Sequence, residues 1–310
     1  MRHASIGPIA VHFPENFETN DDLAKIYPDW NLDIIGEKTG IQKRYIADPH
    51  QCASDLGVLA AEKLFQQHNI DPDSIDFLLL CTQTPDYPLP TTACLMQNRL
   101  GLRTSAGALD FNLGCSGFVY GLDVIQAFMS AQGLRHGLLF TADPYSKVID
   151  PKDYNTELLF GDAAAVTYIA ENPVFVSGKS TFCTNARLSH SIKVDEETRL
   201  LSMLGNNVFK FAVTKVPEQV EKCLELNGLG KNDVDLYLMH QGSKYIVDNL
   251  VPALGVDAAR VPFLAAETGN TVSSSIPLML EQYMETDEKI ILISGFGVGL
   301  SWATSVLERT

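Results

Sequence analysis

The sequence predicts an α/β protein in which two similar halves, residues 1–171 and 172–310, pack as a five-layer αβαβα body with mixed, mostly parallel sheets. Short apolar strands alternate with amphipathic helices along the whole chain, a pattern typical of parallel strands covered by helices on both faces. The chain also repeats itself at a nearly constant offset. No linker rich in Pro, Gly or Ser separates the halves, so we expect one integrated unit.

The internal repeat consists of four matches that come in the same order at an offset of about 155 residues. They pair NIDPDSIDFLLLCTQ with GLGKNDVDLYLMHQ, LGL with LGV, LDFNLGCSG with LAAETGNTV, and GLLFTAD with KIILISG. The first match aligns Cys81 with His240, and the third aligns Cys115 with Asn270. A pseudo-twofold axis would bring positions 115 and 270 to the same place from opposite halves.

The spacing of apolar residues predicts the individual elements in chain order. Short apolar runs predict strands over 75–80, 137–141, 165–170, 234–239, 289–294 and 301–307. Amphipathic spacing predicts helices over 53–67 and 209–226. A further helix follows the strand GALDF, and its buried face is predicted to carry Phe118, Gly121, Leu122, Ile125, Phe128 and Met129.

Composition and charge exclude several classes of protein. Acidic residues outnumber basic ones 38 to 23, and a formal charge of −15 argues against nucleic acid as a partner. No apolar run approaches the roughly 20 residues of a membrane span, and MRHASIGPIAVHF has no signal-peptide pattern. The six cysteines include no C-x-x-C pair, which argues against a zinc site and a secreted disulfide framework. We therefore expect a cytoplasmic protein with reduced thiols.

Three polar side chains are placed at predicted strand ends or the turns that follow them. Cys115 lies at a strand-to-helix turn, where free backbone N–H groups would lower its pKa, although a free cysteine can also be a small buried hydrophobe. His240 ends a strand and can be a structural histidine. Asn270 follows Gly269 and can be a turn former or a helix N-cap. Ligands in open α/β sheets gather beyond the carboxyl ends of strands, so these three side chains are predicted to face one crevice.

A thiol, an imidazole and a carboxamide in one crevice support acyl transfer. A thiolate can attack a thioester and keep the acyl group, while N–H groups at the start of the following helix hold the oxyanion. The imidazole and the amide N–H₂ can hold the carbonyl oxygen of a second substrate. If that substrate is a malonyl thioester, they stabilise the enolate that remains when CO₂ leaves.

A glycine-rich stretch, SGFGVGLSW, is a fourth candidate part of the site. Gly295, Gly297 and Gly299 allow the backbone to pass close to a reacting atom, although the stretch can also be a tight turn between strands. It leads into a strand and not a helix, so it is not a dinucleotide-binding fingerprint. We expect no metal and no cofactor.

With these residues identified, the chain resembles the β-ketoacyl-acyl-carrier-protein synthase III family of the thiolase-like superfamily. The motifs are TGIQKRYIA (39–47), CSGFVYGL (115–122), FGDAAAV (160–166), GNNVFKFAV (205–213), HQGS (240–243), TGNTVSSSIP (268–277) and GFGVGLSW (295–302). The resemblance implies a homodimer of the thiolase fold, with Cys115 as the acylated nucleophile and His240 and Asn270 as the decarboxylation pair. It also implies an oxyanion and active-site loop formed by Phe296, Gly297, Val298 and Gly299, in which Val298 replaces a glycine that is common in the family and narrows the pocket.

The resemblance also implies substrate-binding residues, some of which depart from the family pattern. Leu89 replaces an aromatic that often limits acyl length across the dimer interface. Lys210 and Lys244 are the basic residues expected to dock an acyl carrier protein, on a patch thinner than usual. The Trp and Arg that hold the adenine of coenzyme A fall at Ile34 and Tyr154. We therefore expect an acyl-CoA or acyl-carrier thioester as donor and a primer other than plain acetyl-CoA.

Three other functions share parts of this pattern. A same-fold acyltransferase could pass the acyl group to an amine, a hydroxyl or another carbon without decarboxylation, but simple transfer does not need Asn270. A non-catalytic partner subunit of a related condensing enzyme would be expected to lose Cys115. A cysteine hydrolase has the same residue types, but there the asparagine orients the histidine.

Overall fold

The computed structural model describes residues 5–310, so the first four residues of the N-terminal stretch inspected for a signal peptide lie outside the described part. The strands are β1 (Ser5–His12), β2 (Phe17–Thr19), β3 (Lys43–Tyr45), β4 (Phe77–Cys81), β5 (Gly107–Phe111), β6 (Gly137–Ala142), β7 (Ala164–Ala170), β8 (Phe175–Ser177), β9 (Thr181–Thr184), β10 (Ile192–Val194), β11 (Leu201–Met203), β12 (Leu236–Met239), β13 (Ile290–Gly297) and β14 (Ser301–Arg309). The helices are α1 (Asn20–Ile26), α2 (Leu32–Thr39), α3 (Ala53–His68), α4 (Thr92–Arg99), α5 (Gly117–Gln132), α6 (Tyr154–Glu157), α7 (Gly205–Leu226), α8 (Lys244–Leu254) and α9 (Ser275–Glu281).

The predicted elements are confirmed. The six predicted strands are β4, β6, β7, β12, β13 and β14, and the predicted helices are α3, α5 and α7. The predicted buried face of α5 is correct except at Phe128, which is 43% exposed. Its ring stacks on Phe77 with the centroids 4.4 Å apart, so it packs against the central core while part of it stays exposed.

The main sheet is mixed and follows the order β12-β13-β14-β8-β1-β7-β6-β4-β5, with β9 paired to β14. The pairs β4–β5, β4–β6 and β12–β13 are parallel. Antiparallel pairs join β6 to β7, β7 to β1 and β13 to β14. The short strand β8 pairs with both β1 and β14 and so connects the strands of the two halves.

The sequence repeat corresponds to a repeat in topology. In the first half β4 pairs parallel with β6, which pairs antiparallel with β7. In the second half β12 pairs parallel with β13, which pairs antiparallel with β14. The chain boundary between residues 171 and 172 stays a prediction.

Five layers follow from where the apolar clusters lie. Phe118 and Ile125 of α5 and Ile276 of α9 share one core with Leu79 of β4 and Leu238 of β12, so α5 and α9 lie between the strands of the two halves. A second cluster packs α3 and α4 on the outer side of the first half. A third packs α7 and α8 on the outer side of the second half. Burial of these apolar faces is the main favourable term in the fold.

Among residues 5–310, no helix is long and apolar enough to cross a membrane. The helix that follows His240 has a well-defined cap at each end. The Ser243 hydroxyl accepts the Ile246 N–H at 3.2 Å at the start of α8, and Gly255 ends that helix with a φ of 67°. These caps fix the start of α8 at Lys244, four residues after His240.

Candidate active site

One pocket of about 850 Å³ is lined by Cys115 from the first half and by His240 and Asn270 from the second. Phe296, Gly297 and Val298 line it as well. The expectation that these side chains face one crevice is therefore met. Gly299, Leu89, Lys210 and Lys244 lie outside the set of residues that line it.

Cys115 lies between β5 and α5 and is only 5% exposed. The glycines of β13 pass directly against it. A Cβ on Gly297 would lie 2.7 Å from the Cys115 sulfur, and one on Gly295 would collide with the Cys115 carbonyl oxygen. The close approach predicted from the glycine-rich stretch is thus required by the geometry, and no larger side chain fits there.

Burial raises the pKa of the Cys115 thiol to about 12, and the nearby Asp143 carboxylate acts in the same direction. The backbone N–H groups of Cys115 and Val298 face the sulfur and lower its pKa, but by less. The expectation of a lowered pKa is therefore wrong for the resting site. The helix begins only at Gly117, whose N–H donates to the Gly114 carbonyl at 2.7 Å and is not free to face the sulfur. Cys115 rests as a thiol with two donors placed beside it.

His240 follows β12 directly and is 2% exposed. Its backbone N–H donates to the Ser294 carbonyl at 2.8 Å, which attaches it to β13. Its Nδ1 lies 2.7 Å from the Ser275 hydroxyl, and its ring meets Phe296 edge to face at 5.5 Å. Burial lowers the pKa of His240 to about 3, so the imidazole is neutral. When Ser275 donates to Nδ1, the remaining proton is on Nε2, which can then donate to a ligand.

Asn270 is 3% exposed, and its side-chain orientation is fixed by its own loop. Its Oδ1 accepts the Val272 N–H at 3.0 Å, so the amide N–H₂ remains the donor of the side chain. Its backbone N–H donates to the Leu159 carbonyl at 2.8 Å, and its carbonyl accepts the Gly161 N–H at 3.1 Å. Asn270 does not end a strand, contrary to expectation, because its segment pairs only through an isolated parallel bridge with Phe160.

The segment from Asn270 to Ser275, the first residue of α9, also orients His240, a feature that the sequence reasoning missed. Val272 has a left-handed φ of 54°, which is strained for a β-branched residue and is held by complete burial. Ser273 donates its hydroxyl and its N–H to the buried Asp143 carboxylate, and Ser275 contacts His240. The run of serines in TVSSS, where an apolar helix begins, was the available signal.

The active-site loop departs from the family pattern at Val298. This side chain lines the pocket beside Cys115, and its Cγ2 would lie 3.3 Å from a Cβ on Gly114. Gly299 follows with a left-handed φ of 78° and starts the turn into β14. The added valine keeps its backbone N–H directed at the sulfur while it fills space next to it.

The predicted substrate-binding residues Leu89, Lys210 and Lys244 do not line the pocket. Leu89 is 85% exposed, so any contact with an acyl group would require a second copy of the chain. Lys210 is an exposed residue of α7. Lys244 opens α8 and pairs with Asp248 at 2.5 Å. Neighbouring Tyr245 is half exposed.

An aromatic cluster lies near Ile34 and Tyr154, where the resemblance implies contacts with the adenine of coenzyme A. Ile34 is exposed, but Trp30 stacks on Tyr27 with the centroids 4.1 Å apart and meets Tyr154 edge to face at 5.9 Å. Trp30 therefore reaches Tyr154 in space although it is four residues out of register in the sequence. Among residues 5–310, no group of three or more His, Cys, Asp or Glu side chains could hold a metal ion.

Comparisons with known proteins cover the whole chain. Family models of 3-oxoacyl-[acyl-carrier-protein (ACP)] synthase III and of its C-terminal part match residues 109–184 and 224–309. A beta-ketoacyl-[acyl-carrier-protein] synthase III of Lactococcus lactis subsp. lactis (strain IL1403) is 35% identical over 327 residues, which span 99% of this chain and 100% of that protein.

Solved structures agree with the sequence comparison. A 3-oxoacyl-(acyl-carrier-protein) synthase III crystal structure superposes with a TM-score of 0.94 at 38% identity and covers 99% of each chain. A 3-oxoacyl-(acyl-carrier protein) synthase from Burkholderia xenovorans LB400 gives a TM-score of 0.92 at 31% identity, over 99% of this chain and 94% of that one. The similarity therefore extends over 99% of this chain and includes both halves.

Proposed function

This chain belongs to the 3-oxoacyl-[acyl-carrier-protein] synthase III family and is a condensing enzyme of the acyltransferase class, and from that premise we propose how its own residues perform the reaction. Cys115 takes the acyl group, and His240 and Asn270 stabilise the enolate of the second substrate. The observation that carries the proposal is that one short segment, from Asn270 to Ser275 at the start of α9, orients both donors toward the pocket that contains the Cys115 thiol. The Val272 N–H holds the Asn270 side chain, and the Ser275 hydroxyl contacts the His240 ring.

The first step is transfer of the acyl group from a thioester to Cys115. The sulfur attacks the carbonyl carbon, the bond to the departing thiol breaks, and the Cys115 proton ends on that thiol. The N–H groups of Cys115 and Val298 face the sulfur and can hold the oxyanion. Donors aimed at developing charge in a dry site are each worth about 3–4 kcal/mol of barrier.

The second step is a decarboxylative Claisen condensation with a malonyl thioester, for which we favour the malonyl-acyl-carrier-protein. Loss of CO₂ leaves an enolate whose oxygen accepts from His240 Nε2 and from the Asn270 amide. The enolate carbon attacks the acyl carbonyl, a carbon–carbon bond forms, and the sulfur of Cys115 leaves and is reprotonated. A neutral imidazole suits this role, because burial keeps the pKa of His240 far below neutral pH.

The donor is an acyl-CoA or acyl-carrier thioester. The chain's net charge of −15 opposes an acidic carrier, so we assign docking to the local basic residues Lys210 and Lys244 near the pocket. Departures at Ile34, Tyr154 and Leu89 support a primer other than plain acetyl-CoA.

We further propose that the protein is a homodimer formed at β5. This strand ends the main sheet, and its outer edge has no partner among the strands of residues 5–310. Leu109 at its centre is 45% exposed, and exposed Leu89 and Tyr87 precede it in the chain. An unpaired apolar edge is a template for pairing with a second copy.

The proposal is tested by weighing the intact protein after incubation with acyl-CoA and acyl-carrier thioesters, and by measuring CO₂ from malonyl-carrier protein. We expect an acyl adduct that is lost in Cys115→Ala and CO₂ release that is lost in Asn270→Ala. An adduct without CO₂ release would favour transfer to another acceptor. The absence of any adduct would favour a non-catalytic partner subunit.

A further inference from the structure

We propose that Tyr145 is the end wall of the acyl pocket and that it sets the longest acyl chain Cys115 can accept. The inference rests on the proposed acylation of Cys115. It assigns chain-length selection to a residue of the same subunit, whereas the family resemblance points to position 89 of a second copy.

The ring of Tyr145 belongs to the apolar side of the pocket. It lines the same pocket as Cys115, is 3% exposed, and shares one buried cluster with Cys115, Phe160 and Ile192. Its centroid lies 5.0 Å from that of Phe160. Apolar side chains of this kind are the surface against which an acyl chain on the sulfur would pack.

A hydrogen bond from its hydroxyl group fixes the position of the Tyr145 ring. The Tyr145 hydroxyl donates to Gln83 Oε1 at 2.6 Å. The Gln83 backbone N–H donates to Asp143 Oδ1 at 2.7 Å, and the Gln83 side chain packs so closely on Gly114 that a Cβ there would lie 2.6 Å from Oε1. Tyr145 is therefore held between Phe160 and an anchored glutamine and has little freedom to turn aside.

A polar path lies behind the ring and leads out of the molecule. Gln83 Nε2 donates to Asn112 Oδ1 at 3.1 Å, and Asn112 is exposed. Gln83 follows β4 and Asn112 follows β5, the edge strand. Tyr145 thus separates the apolar space beside Cys115 from the face where we place the dimer contact.

An acyl chain that reaches Tyr145 must therefore stop or displace it. Displacement would break the hydroxyl contact with Gln83 and place an apolar chain among polar groups, and both changes are unfavourable. Removal of the ring would instead lengthen the pocket toward the edge strand. One extra methylene group in an apolar pocket changes the discrimination between two substrates by roughly 10–200-fold.

The test compares acylation rate constants for a series of acyl-CoA thioesters from acetyl to decanoyl, followed by intact mass, in wild type, Tyr145→Leu and Tyr145→Ala. We expect both variants to raise the octanoyl-to-acetyl rate ratio by about tenfold or more. Tyr145→Phe is the matched control, because it keeps the ring and loses only the hydroxyl, and its ratio should stay much closer to wild type. Leu89→Ala tests the alternative, in which Leu89 of a second copy limits the length of the acyl chain.

The outcomes separate this inference from the proposed function. If the octanoyl-to-acetyl rate ratio is unchanged in both Tyr145→Leu and Tyr145→Ala while acetyl is still transferred to Cys115, Tyr145 is not the end wall. The proposed condensing mechanism is unaffected by that result. A ratio that rises only in Leu89→Ala also overturns the assignment of Tyr145 as the end wall. Wild type that gives no adduct with any thioester in the series contradicts the proposed acylation itself.

Discussion

At the scale of single residues, the proposed site depends on one backbone N–H and one hydroxyl that never touch substrate in our account. The Val272 N–H donates to the Asn270 oxygen and the Ser275 hydroxyl contacts His240 Nδ1, so Asn270 and His240 each keep a donor for the pocket. That Asn270 and His240 line the pocket of Cys115 was predictable from the sequence, because their residue types and positions suggest the chemistry; the roles we give them stay proposals. The orientation of these side chains was not predictable, because it depends on a left-handed φ at Val272 that no propensity scale predicts.

Ser275→Ala removes the group that places the His240 proton on Nε2. We expect CO₂ release from malonyl-carrier protein to fall about tenfold or more, because loss of one hydrogen-bond donor to a developing oxyanion typically costs 10²–10³-fold and part of that is lost with its orientation. Transfer of the acyl group to Cys115 should change far less, since it uses the N–H groups of Cys115 and Val298. Rescue by Ser275→Thr is the control, and equal loss in both half-reactions would contradict the role.

The buried neutral His240 also makes stability depend on pH. Its pKa is about 3 in the folded state and 6.5 ordinarily, so between these values the unfolded chain binds the extra proton. The unfolding free energy is therefore unaffected by His240 above about pH 6.5, and it decreases as the pH falls below that value. Relative to His240→Gln, we expect wild type to lose about 2 kcal/mol of unfolding free energy between pH 7 and pH 5 in urea titrations. Parallel losses in the two proteins would rule out this linkage.

At the scale of elements, strands and helices were predictable and the exact contacts between them were not. The spacing of apolar residues predicts β4, β6 and α5, because each of these elements buries a regular apolar face. It could not show that the segment before Asn270 pairs through a single bridge. It also could not show that burial dominates the N–H groups around Cys115 and raises its pKa, because desolvation depends on elements far away in the chain.

The approach of β13 to the nucleophile gives a prediction at this scale. Gly297→Ala would place a Cβ 2.7 Å from the Cys115 sulfur, and a displacement of about 1 Å at a reacting atom can cost 10²-fold in rate. We expect Cys115 acylation to slow about 100-fold, measured by quenched intact-mass time courses. Gly230→Ala is the matched control, because its Cβ would meet only Asp233 at 3.5 Å on an exposed turn. Similar rates in the two variants would show that the close approach is not needed.

At the scale of the whole molecule, the duplication explains why one pocket is built from two halves. Equivalent strands β4 and β12 end near the same crevice, and Cys115 and Asn270 line it from opposite halves, as the repeat predicted. The dimer that we propose could not be derived from the periodicity, because an edge strand has the same alternation of residues whether it is paired or free.

The unpaired edge of β5 gives the prediction for the assembly. Light scattering coupled to size exclusion should give twice the 34.0 kDa chain mass for wild type. Leu109→Lys, which places a charge at the centre of this edge, should shift the protein toward the monomer at micromolar concentration. A monomeric wild type, or a variant dimer of unchanged stability, would contradict the proposed interface.

The central claim is that Cys115 carries the acyl group, and peptide mapping of the acylated protein tests it most directly. After brief incubation with an acyl-CoA, digestion and tandem mass spectrometry locate the added mass. The account predicts the acyl group on the peptide that contains Cys115 and none on those that contain exposed Cys94 or buried Cys81. An adduct on any other cysteine, or one that persists in Cys115→Ala, would contradict it.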